Sequence, residues 1–259
     1  VDIDRRAFSG FIAAGAATVL MPGGLSAAAA PPVRARNVVL VHGLFADGSS
    51  WSEVIPYLQA RDLNVTAVQH PLTTLPDAVA ACTKVLARQD GPTVLVGHSF
   101  GGMIVTDAGV HPNVSALVYV AARGPDAGED YAALSGGYPK PPAASGIVFD
   151  GDEGRLTQEA FLRDFAPDLP REKALTLFAV QWPFHKALQM GRTSHAAWRT
   201  KPSFYAVSKN DRVIDTGLQH FMAKRMGART VELAASHVSL LSRPREVGRL
   251  ILEAAGVDA

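Results

Sequence analysis

Along this chain the apolar positions change period several times, and the changes lay out an ordered series of elements. After Pro31-Pro32, Asn37-Val38-Val39-Leu40-Val41 is a β-branched apolar run suited to a parallel strand buried on both faces. Residues 42–50 read as a Gly- and Ser-containing loop, and 51–60 as an amphipathic helix. The pattern then predicts strands at 64–68, 92–96 and 115–121, with helices between them at 77–88 and 100–110. Strand and helix alternating over short connections mark a parallel sheet built by right-handed crossovers. Between about 123 and 199 the alternation breaks into Gly, Pro and Ala clusters. Helical patterns follow at 158–165 and 171–179, then a helix-like patch at 181–185. This segment is expected to be a mostly helical cap inserted above the sheet. The alternation resumes with strands at 203–207 and 230–233 and helices at 215–226 and 244–255. The expected class is α/β: about six mostly parallel strands flanked by helices, carrying a small helical cap.

Composition narrows the class of function more than the fold. The 259 residues suit one domain with an insertion, and 47% hydrophobic content is ample for a buried sheet. Formal net charge is +1 with no cluster of Lys and Arg, so no nucleic-acid partner is expected. Cys82, the single cysteine, allows neither an internal disulfide nor a thiolate metal cluster, and its helical setting suits a buried structural thiol. Residues 1–30 have the pattern of an export signal. Arg5-Arg6 precede an Ala-rich apolar stretch, small residues run from Ser26 to Ala30, and Asp4-Arg5-Arg6-Ala7-Phe8 resembles a bacterial twin-arginine leader. A periplasmic or secreted location is expected, or a cytoplasmic one if the leader does not function. The apolar stretch falls short of the ~20 residues of a bilayer span, so no stable membrane association is expected. Residues 31–259 form the remaining domain.

Gly97-His98-Ser99-Phe100-Gly101 matches G-x-S-x-G, between the apolar strand Val94-Leu95-Val96 and a helix beginning near Phe100. Such a turn lifts a serine hydroxyl above the carboxyl end of the sheet, with a helix N-terminus beneath it. A serine needs a base within reach. Of the eight histidines, His42 and His98 adjoin loop glycine and nucleophile, while His70 and His111 end early elements. His185 and His195 lie in the cap and His220 inside a helix. His237 follows the last strand and precedes the last helix, where it can reach across to Ser99. Asp211, just past the strand at 203–207, is the expected acid, and Asp215 the expected cap of the next helix. The developing oxyanion needs two backbone N–H donors. Phe100 supplies one, and the loop after the first strand the other, with Leu44 the first choice and Phe45 the second. Phe45 and Trp182 are the candidate substrate-lining residues; Phe100, Phe184 and Trp198 are further aromatics suited either to a pocket or to core packing.

These pieces resemble the α/β-hydrolase superfamily from about Val38 onward. They are the loop Val41-His42-Gly43-Leu44-Phe45-Ala46-Asp47-Gly48-Ser49-Ser50-Trp51, the Gly97-His98-Ser99-Phe100-Gly101-Gly102 turn, Asn210-Asp211-Arg212-Val213-Ile214 and Ser236-His237. The nearest group is of small serine hydrolases and esterases, similar to plant methyl-ester hydrolases and hydroxynitrile lyases. The resemblance implies cofactor-free, metal-free acyl transfer on a small-molecule ester through the triad Ser99, Asp211 and His237. The lyases of that group carry a lysine just after the histidine, and Val238 stands there here. Alternative readings are a C–C hydrolase, a cofactor-free haloperoxidase, a lyase, or a ligand-binding receptor on the same fold.

Overall fold

In the computed structural model, residues 34–258 are described; the leader expected over 1–30 lies outside them. The β-branched run forms β1 (Asn37–Val41), buried along its whole length. The chain then passes through α1 (Val54–Gln59), β2 (Asn64–Val68), α2 (Leu75–Leu86), β3 (Thr93–His98), α3 (Gly101–Ala108) and β4 (Val114–Val120). The helix expected at 51–60 is split. A 3-10 turn at Gly48–Trp51, capped by Asp47, precedes it, because the Asp47 carboxylate takes the Ser49 N–H at 2.8 Å. Pro56, which has no N–H to give, is accommodated in the first turn of α1.

The inserted segment is mostly helical, as expected, and adds a small antiparallel sheet that the sequence pattern did not predict. It contains α4 (Tyr131–Gly136), then an antiparallel hairpin of β5 (Ile147–Asp150) and β6 (Glu153–Leu156). The short helix α5 (Gln158–Ala160) runs into a π-helical turn at Phe161–Phe165, followed by α6 (Arg171–Ala179). The strand β7 (Phe184–His185) then adds to β6, and α7 (Ala187–Met190) closes the segment. The hairpin forms because Ile147-Val148-Phe149 is β-prone and Gly151, at φ +57°, makes the left-handed turn cheaply. The patch expected to be helix-like at 181–185 holds β7 instead, with Pro183 ahead of it.

The core architecture then resumes with β8 (Ser203–Ser208), α8 (Thr216–Arg225), β9 (Arg229–Leu233), α9 (Ser239–Ser242) and α10 (Pro244–Ala254). The six strands lie in the order β2-β1-β3-β4-β8-β9, all parallel. Order reverses at β1, whose neighbours are β2 and β3, and ligand crevices form at such switch points outside the carboxyl ends of strands. Helix α2 packs on α3 and α1 on α10. Val247, Leu250, Ile251 and Leu252 of α10 are buried. Among the described residues no helix is long and apolar enough to cross a membrane.

Candidate active site

Only Ser99 and Phe100 separate β3 from α3, so the chain must reverse within two residues. Ser99 sits at φ +55°, a left-handed conformation that costs a non-glycine residue roughly 1–3 kcal/mol. Surrounding backbone holds it there. Its N–H donates to the Val120 carbonyl at 3.2 Å, and its own carbonyl accepts from Gly102 at 3.1 Å and Arg123 at 2.9 Å. The flanking glycines answer to space. A Cβ on Gly101 would lie 2.7 Å from the carbonyl oxygens of Val41 and His42, and one on Gly43 would lie 2.6 Å from Ser99 Cβ. The loop after β1 and the serine turn are thus pressed together, which puts Leu44 and Phe45 beside the nucleophile.

Asp211 and His237 meet from the loops after β8 and β9. His237 Nδ1 lies 2.8 Å from Asp211 Oδ2, with both side chains fully buried. The carboxylate is held on every side: Oδ1 accepts from Val213 N at 2.7 Å and Ile214 N at 3.0 Å, and Oδ2 accepts from Gln219 Nε2 at 2.8 Å. With Nδ1–H directed at the carboxylate, Nε2 of the neutral ring is the free acceptor. Nε2 is buried and makes no hydrogen bond, so the serine–histidine contact is not closed in this structure. Such contacts often tighten only with substrate bound. Asp215 takes the other role: its Oδ1 accepts from Leu218 N at 3.1 Å as the cap of α8.

The remaining histidines near the site are neutral supports. His98 Nε2 donates to the His237 carbonyl at 3.0 Å. Burial and the nearby His237 hold its pKa well below the ordinary value. His42 and His70 stack with ring centroids 3.9 Å apart, and His70 Nε2 lies 3.0 Å from the His42 carbonyl. Burial, and then His70, push the pKa of His42 down to about 3.

The N–H groups of Leu44, Phe45 and Phe100 have no acceptor among the described residues. Phe45 stands at φ +62°, and its ring meets Phe184 and Phe165 edge-on at 5.4 and 6.0 Å. Leu44 and Phe45 line a cavity of about 410 Å³ together with Arg123, Tyr131, Ile214 and Leu218. Trp182 corrects an expectation. It is 67% exposed and lines a separate outer depression with His42, Gln69, His70 and Val180. The next aromatic in the chain, Phe184, turns inward because β7 pairs with β6, and Trp198 is buried with its Nε1–H on the Pro125 carbonyl.

Three supporting residues were missed in the sequence. Asp168 of the cap accepts from Ser236 N at 2.8 Å and from its hydroxyl, holding the residue before His237. Asp164, with no exposed side-chain surface, accepts from Arg212 Nε at 2.7 Å, the residue after Asp211. Phe165 lies 5.3 Å from the His237 ring. All three sit in or just after the π-helical turn, a feature frequent at functional sites. An acidic residue between Phe161 and Phe165 was the available hint.

The family match for the alpha/beta hydrolase family spans residues 38–250. The chain belongs to that family. It is 26% identical over 253 residues to the pyrethroid hydrolase of Sphingobium wenxiniae, across 86% of this chain and 89% of that protein. Its fold is similar to that of polyneuridine aldehyde esterase, with TM-score 0.72 and 20% identity over 85% of this chain and 98% of that one. It is also similar to a methylesterase from Arabidopsis, with TM-score 0.68 and 18% identity over 84% of this chain and 98% of that one.

Proposed function

We propose that the protein cleaves the ester of a small apolar or aryl substrate by acyl transfer to Ser99. The observation that carries the proposal is the fully buried Asp211–His237 pair whose outer nitrogen is free, together with a serine held at φ +55° on the strand-to-helix turn. Ser99 Oγ attacks the carbonyl carbon while its proton passes to His237 Nε2, and Asp211 stabilises the imidazolium. The oxyanion meets the N–H groups of Leu44 and Phe100, and α3 adds its positive end. Collapse expels the alcohol, which takes the proton from Nε2. Water then attacks the acyl carbon, its proton goes to Nε2, and collapse frees the acid while Ser99 Oγ regains the proton. The apolar walls Leu44, Phe45, Ile214 and Leu218 suit a small hydrophobic ester, in a volume normal for small-molecule sites.

The test is 4-nitrophenyl acetate turnover with a fluorophosphonate probe. A burst of nitrophenol and a mass shift on Ser99, both absent in Ser99→Ala, are the expected results where deacylation is the slower step. Full hydrolysis by Ser99→Ala would overturn the mechanism. We propose further that residues 1–30 direct export by the twin-arginine route, on the strength of Arg5-Arg6 and the small residues ending at Ala30. Exchange of both arginines for lysine should then abolish export in a bacterial host.

A further inference from the structure

Arg123 follows β4 at the carboxyl edge of the sheet, and its N–H donates to the carbonyl of Ser99 itself. Its guanidinium lies over the rings of Phe100 at 5.7 Å and Tyr131 at 4.8 Å and lines the 410 Å³ cavity. The two rings attract the cation but offer no lone pair to its in-plane N–H groups. Nε is buried without a hydrogen-bond partner, and among the described residues no carboxylate pairs with the guanidinium. Other arginines of the chain differ: Arg199 pairs with Asp126, Arg212 with Asp164, and Arg225 with Glu129. The acids of this region bond elsewhere. Asp211 is saturated by His237, Gln219 and two amides, and Asp215, which lines the same cavity, caps α8. Lys140 adds a second cation to the cavity wall. Burial lowers the pKa of Arg123 from its ordinary value. An arginine held this way, on the wall of a cavity and on a backbone bonded to the nucleophile's carbonyl, is matched by a planar anion that takes two parallel N–H bonds.

We propose that Arg123 binds a carboxylate of the substrate, so that the ester cleaved here carries a free acid group besides the scissile bond. The inference rests on the ester-hydrolase reading above and names the substrate class of that site. Arg123 is thereby the residue that sets specificity, with Lys140 in support at the cavity wall.

Two matched pairs of esters test it, one for each side of the scissile bond. The acyl-side pair is 4-nitrophenyl hydrogen adipate against the 4-nitrophenyl ester of adipamic acid. The alcohol-side pair is 4-acetoxybenzoate against 4-acetoxybenzamide. In at least one pair, kcat/KM for the carboxylate should exceed that of its neutral isostere by about tenfold or more, the worth of a charge-assisted hydrogen bond. Arg123→Gln should bring that ratio close to one, and Arg123→Lys should leave it intermediate. Neutral esters turned over as well as the acids in both pairs, or a preference that survives Arg123→Gln, would overturn the proposal. If no ester is cleaved, the ester reading fails by itself, and calorimetry on the unaltered protein decides this one. Tighter binding of monomethyl adipate than of methyl adipamate supports it and equal binding overturns it, whether or not the variants fold.

Discussion

The carboxyl edge of the sheet and the cap above it are built to different standards. Ser99, Asp211 and His237 follow β3, β8 and β9, where main-chain bonds and buried neighbours hold each of them. The cap instead carries much of the exposed apolar surface: Val148, Phe149, Val180, Trp182 and Met190 are all at least 41% exposed. Within α6 only Ala174 is buried. Beneath that surface Phe161, Phe165, Phe184 and Leu188 are buried in the common core, and polar ties join Asp164 to Arg212, Asp168 to Ser236 and Lys173 to Glu53. The reacting geometry is thus fixed by backbone that cannot relax without breaking the sheet. The choice of substrate falls to side chains where the two regions meet, Arg123, Leu44 and Phe45 among them.

The sharpest break in that comparison is chemical. Ser99→Ala and His237→Ala should each lower kcat by about 10⁴ or more, leaving the roughly 10³ over water that binding and the oxyanion donors supply. Cap variants measured alongside should not approach that loss; if one did, the division of labour would be wrong. Next comes the acid. Asp211→Asn should keep the fold but cut kcat by ~10³ or more, while Asp215→Asn should cost about 1 kcal/mol of stability as a lost helix cap. Reversed outcomes in paired kinetics and denaturant melts would transfer the acid role to Asp215.

Acid should weaken the supports of the sheet edge before it touches the ion pairs. The pKa of His42 is lowered to about 3, while in the unfolded chain it returns to about 6.5. As pH falls from 7 to 5 the unfolded state takes up a proton that folded His42 refuses, so stability drops by about 2 kcal/mol from this residue. His70 and His98, also lowered, act in the same direction. Asp164, its pKa lowered against desolvation by Arg163 and Arg212, loses its contribution only as pH falls further, below the ordinary carboxylate range. Urea midpoints at pH 7 and 5 measure the histidine effect, and equal midpoints would refute it.

Untying the cap has an effect of similar size. Asp168→Ala frees Ser236 and should cost roughly 1–3 kcal/mol by leaving a buried donor unpaired, with a fall in kcat because His237 is the next residue. Unchanged kcat would show that the cap does not help position the histidine. Trp182→Ala closes the series: 67% exposed and outside the Leu44–Phe45 cavity, it should change kcat/KM by no more than about twofold, given that surface changes usually stay within about 0.5 kcal/mol. A tenfold loss would mean that the cap folds down on the substrate.

What could be read from the chain alone was whatever has a local period or a local strain. The β-branched run at Asn37–Val41 could only be a buried strand, and all six strands of the parallel sheet stand within one or two residues of their expected limits. Gly97-His98-Ser99-Phe100-Gly101 announced a tight strand-to-helix turn because only glycine fits where a Cβ would strike backbone. Chain order then singled out Asp211 and His237, since each follows a strand whose carboxyl end faces the crevice. The cap hairpin was legible in principle, through Ile147-Val148-Phe149 and the Asp150-Gly151 turn, yet Gly and Pro clusters around it hid the period. Tertiary structure alone decided that Phe184 faces inward and Trp182 outward, since strand pairing with β6 sets that. It alone joined Asp164 to Arg212 and Asp168 to Ser236, across 48 and 68 residues, and left Arg123 without an acid among the described residues. Burial and pairing of polar groups depend on which distant segments arrive together, and no periodicity along the chain records that meeting.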